Sequence, residues 1–234
     1  MNKKIAVMQP YLFPYIGYFQ LINAVDKFIL FDDVNYINKG RINRNFILND
    51  SSPMLFTLPL KKPSQNKLIN EIELSDSGSF SCKFLKSLKH SYVKAPFFEP
   101  VMKLLEVIFN SEKINLSDFI HYSLIIINEY LDIKSVIIPS SSIYENNSLK
   151  GSERIIDICK KEKANTYINL PGGTGLYSAE IFLENGISLK FIKSREIIYK
   201  QFKIDFIKNL SIIDVMMFNS KDKVNKYLNE IEYL

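Results

Sequence analysis

Two short apolar runs, at residues 4–8 and 28–31, bracket a segment of helical spacing, and this pattern constrains the fold more than any other feature of the chain. The first run is compact and is ended by Pro10, which predicts a buried strand. Residues 10–17 follow as a loop rich in aromatics and stiffened by Pro10 and Pro14. Residues 18–24 carry helical spacing, with Phe19, Ile22 and Leu21 facing inward. The second strand stops at Asp32-Asp33. A strand–loop–helix–strand unit opens a parallel α/β sheet. The expected fold class is therefore α/β, a Rossmann-like parallel sheet flanked by helices.

The remaining pattern extends this reading. Residues 40–45 read as a polar loop or edge segment, 46–48 and 54–58 as strands, and 69–74 as a further extended piece. From residue 79 the character changes: 80–92, 98–109 and 117–131 all have helical apolar spacing, with Ser117 as the expected N-cap and Asp118 in the first turn. Strands are expected at 135–138, 166–170 and 189–192, with helices at 152–161 and 178–184 and a last helical stretch opening at Ser211. There is no internal repeat, low-complexity tract or linker. The expectation is one α/β domain over residues 1–234 with a helical subregion around 79–131.

Composition narrows the function classes. Apolar residues make up 47% of the chain, ample for a large core. The net charge of +5 is dispersed in short groups such as Lys61-Lys62 and Lys160-Lys161 rather than drawn into the stripe or tail of a nucleic-acid binder. It suits a site for an anionic small molecule such as a nucleotide, or simply a slightly basic solvated surface. The two cysteines, Cys82 and Cys159, form no CxxC and have no histidine at ligand spacing, so no metal site is expected. Both are read as packing residues on helices. No apolar run reaches the roughly 18 residues of a membrane span. The basic start at Met1-Asn2-Lys3-Lys4 is followed too soon by Gln9 and Pro10 for a signal peptide. The expected location is the cytoplasm.

Three constellations can carry chemistry. The loop after the first strand holds Gln9, Tyr11, Tyr15, Gly17 and Tyr18, where ligands of parallel sheets bind. Gly17 permits close backbone approach, and the tyrosines offer hydroxyls and stacking faces. Tyr15-Ile16-Gly17-Tyr18 also has the spacing of the His-x-Gly-His turn of nucleotidyltransferases, without the imidazoles that would meet phosphate. The bland alternative is aromatic packing at a strand–helix corner. The second set is Asp32 and Asp33 with Arg41, Asn43, Arg44 and Asn45: a carboxylate can act as base and an arginine can clamp phosphate. An exposed turn with surface ion pairs is the competing reading.

The third set is the segment 167–177, where Gly172 and Gly173 could form an amide nest beside Tyr177. It is neither GxGxxG nor a P-loop, and a tight left-handed turn would explain the glycines equally well. Ser140, Ser141 and Ser142, with Arg154, stand at another strand end and join the same rim or simply cap a helix. His90 is the better histidine for proton transfer. His121, on an apolar helix, reads as a boundary residue.

The segment Met8-Gln9-Pro10-Tyr11-x-Phe13-Pro14-Tyr15-x-Gly17-Tyr18-Phe19-x-Leu21-Ile22 forms a distinctive motif. Further motifs are Asp26, Asp32-Asp33-Val34, Asn43-Arg44-Asn45, Tyr92-x-Lys94-Ala95-Pro96-Phe97-Phe98, residues 167–177, Tyr199-x-Gln201 and Leu210-Ser211-Ile212-Ile213-Asp214. In these segments the chain resembles the WbqC-like family of bacterial surface-polysaccharide gene clusters. The resemblance implies a role among genes for O-antigen and related lipopolysaccharide glycans. It points to acyl or aminoacyl transfer to a nucleotide-linked amino sugar, for instance a glycyl-type group onto a 4-amino-4,6-dideoxyhexose. On that view Asp32, Asp33 or His90 removes a proton from the amine. Amides near Gly172-Gly173 meet the oxyanion, and Arg41 and Arg44 hold a pyrophosphate. The second ligand is an acyl thioester or ATP. An ATP-dependent ligase and a non-catalytic sugar-nucleotide-binding protein stand as alternatives.

Overall fold

The computed structural model describes residues 3–75, 77–202 and 205–234; Met1 and Asn2, the start of the basic N-terminal segment, lie outside the described residues. Strand β1 (Lys4–Met8) leads through the aromatic loop into helix α1 (Ile16–Asn23) and strand β2 (Lys27–Leu30). A hairpin of β3 (Arg44–Asn49) and β4 (Ser52–Thr57) and a short pair, β5 (Leu60–Lys61) and β6 (Glu73–Leu74), form separate two-stranded sheets. Helices α2 (Ser77–Tyr92), α3 (Phe98–Phe109) and α4 (Leu116–Tyr130) follow. The chain then adds β7 (Val136–Ile138), α5 (Gly151–Lys161), β8 (Thr166–Asn169), α6 (Ala179–Glu184) and β9 (Ser188–Ser194). It closes with α7 (Ile212–Phe218), α8 (Lys221–Leu228) and β10 (Ile231–Tyr233).

The central sheet has the order β10-β9-β8-β1-β2-β7. Strands β9, β8, β1, β2 and β7 are parallel, and β10 is antiparallel to β9. This is an α/β Rossmann-like fold. Successive crossovers leave β1 in opposite directions, to β2 and β7 on one side and to β8 and β9 on the other. The topological switch point lies between β1 and β8.

Alternation along β1 sends Ile5 and Val7 to one face and Ala6 to the other. Ile5, Val7 and Ile29 pack with Ile155 and Ile158 of α5 and Phe182 of α6. Ala6, Phe28 and Leu30 join a second apolar cluster that runs through α1 and the β3–β4 hairpin to α2, α3, α4 and α7. Full burial of a side chain such as Phe28 or Leu30 contributes about 1.5–3 kcal/mol.

Four local expectations change. Residues 69–74 are not one extended piece: Ile69–Glu71 is a 3₁₀ turn before β6. That turn places Ile69 and Ile72 together in the core, and Glu71 accepts the Leu68 N–H at 2.8 Å. Ser117 is not the cap of α4. Asn115 is, accepting the Ser117 and Asp118 N–H groups, and it frees the Ser117 hydroxyl for another partner. Strand β3 begins at Arg44, two residues ahead of the strand expected at 46–48, so Arg44 and Asn45 take the edge-segment reading of 40–45. Finally, the polar C-terminus forms α8 and β10, secured because Gln20 of α1 donates to the carbonyls of Tyr227 (2.7 Å) and Glu230 (3.1 Å).

Candidate functional site at the switch point

Strand β1 stays paired with β2 as far as Met8↔Leu30, whereas its ladder with β8 covers only Lys4↔Thr166 and Ile5↔Tyr167. The two strands therefore separate toward their carboxyl ends. A cleft of about 510 Å³ opens there, between Met8-Gln9 and the segment from Asn169 to Gly173. Tyr11, Tyr15 and Tyr177 give it aromatic walls. Tyr11 and Tyr15 also face an adjoining pocket of about 310 Å³ with Arg41, Asn45 and Asn209. From Tyr15 and Asn209 a third pocket of about 220 Å³ leads to Lys208 and Arg195. Among the described residues, no acidic side chain lines the first two pockets.

The wall loop is held from several directions. Phe13 is fully buried in left-handed backbone (φ 41°), which costs on the order of 1–3 kcal/mol for a residue with a side chain. Its carbonyl accepts from Asn45 Nδ2 at 2.7 Å and Ser211 Oγ at 2.8 Å. Leu12 donates to the Ile42 carbonyl at 3.1 Å, and Ile212 donates to the Pro14 carbonyl at 2.9 Å. The loop is thus fixed between the hairpin and the start of α7, and these bonds offset the strain.

Several predicted ligand-binding residues prove to be supports. Asn45 holds the loop, and its Oδ1 accepts the Phe46 N–H at 2.8 Å. Asn43 is buried in the hairpin, accepting from the Tyr36 hydroxyl at 2.9 Å and donating to the Leu58 carbonyl at 2.8 Å. Tyr18 is fully buried, and its hydroxyl donates to the Gln9 carbonyl at 2.8 Å. It therefore does not stand where the second imidazole of a His-x-Gly-His turn would meet phosphate. Gly17 admits the ring of Tyr15 rather than a ligand: a Cβ there would lie 2.4 Å from Tyr15 Cε2.

The two arginines diverge. Arg41 is exposed beside the pocket, its guanidinium 5.1 Å from the Phe46 ring centroid and 3.5 Å from Asn45 Oδ1. Arg44 donates through Nε to the Gly40 carbonyl at 3.0 Å and lines neither pocket. Burial raises the hydroxyl pKa of both Tyr11 and Tyr15, and the nearby Arg41 charge opposes that rise.

Across the cleft, Pro171–Gly173 is a 3₁₀ turn. Positive φ among the described glycines occurs at Gly151 and Gly186, so this is not the left-handed turn considered above. The Gly173 N–H is committed to the Leu170 carbonyl at 2.9 Å, which removes one amide from the expected nest. Gly173 is needed because a Cβ would approach Asn169 Nδ2 to 2.7 Å. Asn169 and Asn209, absent from the candidate residues, both line the site. Asn209 could have been suspected as a left-handed-tolerant residue (φ 61°) just ahead of the Ser211 cap.

Asp32 and Asp33 face the interior instead of the cleft. Asp32 accepts from Ser117 Oγ (2.7 Å), Ser140 Oγ (2.6 Å) and the Ser141 N–H (3.2 Å). Burial raises its pKa despite those donors. Asp33 accepts from the Ser141 hydroxyl and pairs with Arg154 Nη2 at 2.5 Å. Arg154 is itself buried, stacked 4.6 Å over the Phe31 ring, and is not a surface arginine. Ser140 and both carboxylates thus tie the ends of β2 and β7 to α4 and α5, a scaffold geometry that leaves neither Asp aimed at a substrate amine.

His90 is exposed at the end of α2, in a separate groove with Lys94 and Lys200 that shares no lining residue with the cleft. His121 is half-buried on α4, and burial lowers its pKa. Cys159 packs inside as expected, whereas Cys82 is exposed. Among the described residues no His, Cys, Asp and Glu cluster suits a metal ion, and no helix is long and apolar enough to cross a membrane.

Fold and site together define an α/β Rossmann-like protein with a branched cleft at its switch point, whose first two pockets have no acidic lining among the described residues. The chain belongs to the WbqC-like protein family, which matches residues 9–226. It is also 30% identical over 231 residues to the uncharacterized protein Rv1507c of Mycobacterium tuberculosis (strain ATCC 25618 / H37Rv), a match covering 97% of each chain. No solved structure matches it.

Proposed function

We propose that the protein acts in bacterial surface-glycan biosynthesis as an amide-forming acyl- or aminoacyltransferase, with a nucleotide-linked amino sugar as acceptor in the switch-point cleft. The observation that carries this reading is the separation of β1 from β8 beside Gln9 and the Asn169–Gly173 segment. Nucleotides bind open α/β sheets at such a point. The absence of carboxylates among the described residues lining these two pockets favours an anionic ligand, and Tyr11, Tyr15 and Tyr177 offer faces for a base or sugar ring.

In this reading the unprotonated sugar amine attacks the acyl carbonyl carbon. The donor's leaving group departs with the bond pair, and the amine proton passes to solvent. Gln9 and the open Gly172 side of the turn are the groups placed to face the developing oxyanion. Asp32 and Asp33 serve to hold the strand ends.

The test is calorimetric titration with uridine- and thymidine-diphosphate-linked 4-amino sugars, followed by mass spectrometry of the sugar after incubation with acyl and aminoacyl donors. Binding followed by the mass gain of one acyl group is the expected result. Binding without acylation by any donor would reduce the protein to a carrier, and no binding would remove the glycan reading.

A further inference from the structure

Building on that reading, we propose that the pocket at Arg41 is a second ligand subsite, taking the phosphate of the acyl donor while the sugar nucleotide occupies the main cleft. The two cavities share Tyr11 and Tyr15, so ligands held in each would meet across the same two rings. That is the shape a two-substrate reaction requires, since proximity of the reacting groups is itself a large part of the rate.

Size separates the occupants. The Arg41 pocket, at about 310 Å³, is smaller than the main cleft of about 510 Å³, which suits a phosphate or diphosphate in the pocket and the bulkier nucleotide sugar in the cleft. Its charge is also uncommitted. Arg154 and Arg195 face carboxylates at 2.5 and 3.8 Å, whereas Arg41 has no ion-pair partner among the described residues. The Phe46 ring and Asn45 Oδ1 orient the guanidinium, and the planar fork of an arginine matches phosphate oxygens in pairs. Its field reaches the hydroxyls of Tyr11 and Tyr15. Arg44, turned toward Gly40, cannot substitute for it.

Two probes separate the sources of the phosphate: inorganic pyrophosphate for a phosphoanhydride donor and coenzyme A for a thioester donor. Each is titrated into the full chain with and without saturating uridine diphosphate. At least one probe is expected to bind once per chain, with its stoichiometry unchanged by the nucleotide. Arg41→Ala should weaken that probe about tenfold or more, the scale of one charge-assisted contact, and Arg41→Lys less. Arg44→Ala, an internal control, should change it by less than about twofold.

Because Arg41 is exposed, melting curves of the two Arg41 variants should overlay the parent. No binding of either probe, equal losses at Arg41 and Arg44, or full competition by the nucleotide would overturn the proposal. Probe binding that depends on Arg41 in a protein that ignores all nucleotides would instead sink the acceptor assignment and keep the subsite.

Discussion

The hydroxyl of Tyr92 donates to Asp214 Oδ1 at 2.8 Å and accepts the Leu48 N–H at 2.7 Å, so one phenol joins the end of α2, strand β3 and helix α7. Asp214 is fully buried and also accepts from Tyr199 (2.6 Å) and Gln201 (2.7 Å). Burial raises its pKa, and the three donors only partly counter that. Three residues before Asp214, Ser211 caps α7 and binds the Phe13 carbonyl. The network therefore sets the position of the cleft wall, and its Tyr199 also lines the third pocket.

Tyr92→Phe should destabilise the fold by about 2–4 kcal/mol, because it strands both the buried Leu48 N–H and one oxygen of Asp214. Urea unfolding measures it. A loss within about 0.5 kcal/mol would mean that water takes over both bonds.

Arg154→Met should cost about 3–5 kcal/mol by leaving the Asp33 carboxylate buried and unpaired. Adding Asp33→Leu should recover part of that loss, since the uncompensated charge goes with it. A double variant that is as unstable as the sum of both single ones would show that packing, and not charge, dominates there.

Glu162, at the end of α5, gathers Lys3 (2.7 Å), Lys27 (2.8 Å) and Tyr144 (2.7 Å) at the amino ends of β1 and β2. Burial pushes its pKa up, but hydrogen bonds from Lys27, Lys3 and Tyr144 outweigh it and bring the group down to about 2. A depressed carboxylate contributes stability above its unfolded value of 4.5 and loses it as pH falls through the folded value. The parent should exceed Glu162→Gln by about 1 kcal/mol at pH 7, a figure discounted for solvent screening of this half-open cluster. That advantage should fade between pH 4.5 and about 2. Denaturant titrations at several pH values check it, and a constant gap across that window would contradict the assignment.

Gly17→Ala separates folding from binding. Alanine is favoured over glycine inside a helix by about 1 kcal/mol, which offsets the push on the flexible Tyr15 side chain. Its Cβ must displace the Tyr15 ring, the wall common to all three pockets. Stability should hold while affinity for nucleotide sugar and pyrophosphate both fall. Unchanged affinities would mean that Tyr15 is not part of the site.

Much of the secondary structure was legible because it depends on neighbours in the chain. Lys4–Met8 and Phe98–Phe109 fall at the expected bounds, since apolar spacing and proline boundaries act locally. The turn at Ile69–Glu71 escapes the pattern because Ile72 and Leu74 alternate as a strand would, and the core that Ile69 and Ile72 enter together brings out their three-residue spacing. The N-cap of α4 was misplaced for a similar reason. Asn115 and Ser117 are both good caps, and the claim of Asp32 on the Ser117 hydroxyl, 85 residues away, settles the choice.

The order of apolar runs along the chain dictates a parallel α/β sheet with its polar, aromatic loops at the strand ends, because burial of short apolar runs leaves few other arrangements. It also located the loops that form the cleft. Tertiary structure alone decided which of their side chains face it. Asp33 is withdrawn by Arg154, 121 residues away, Asn43 by the Leu58 carbonyl and Tyr18 by the Gln9 carbonyl, while Arg41 is left without a carboxylate among the described residues. The physical reason is that a buried polar group must find a partner. Where that partner sits far along the chain, only the folded arrangement shows which groups are consumed and which remain to bind.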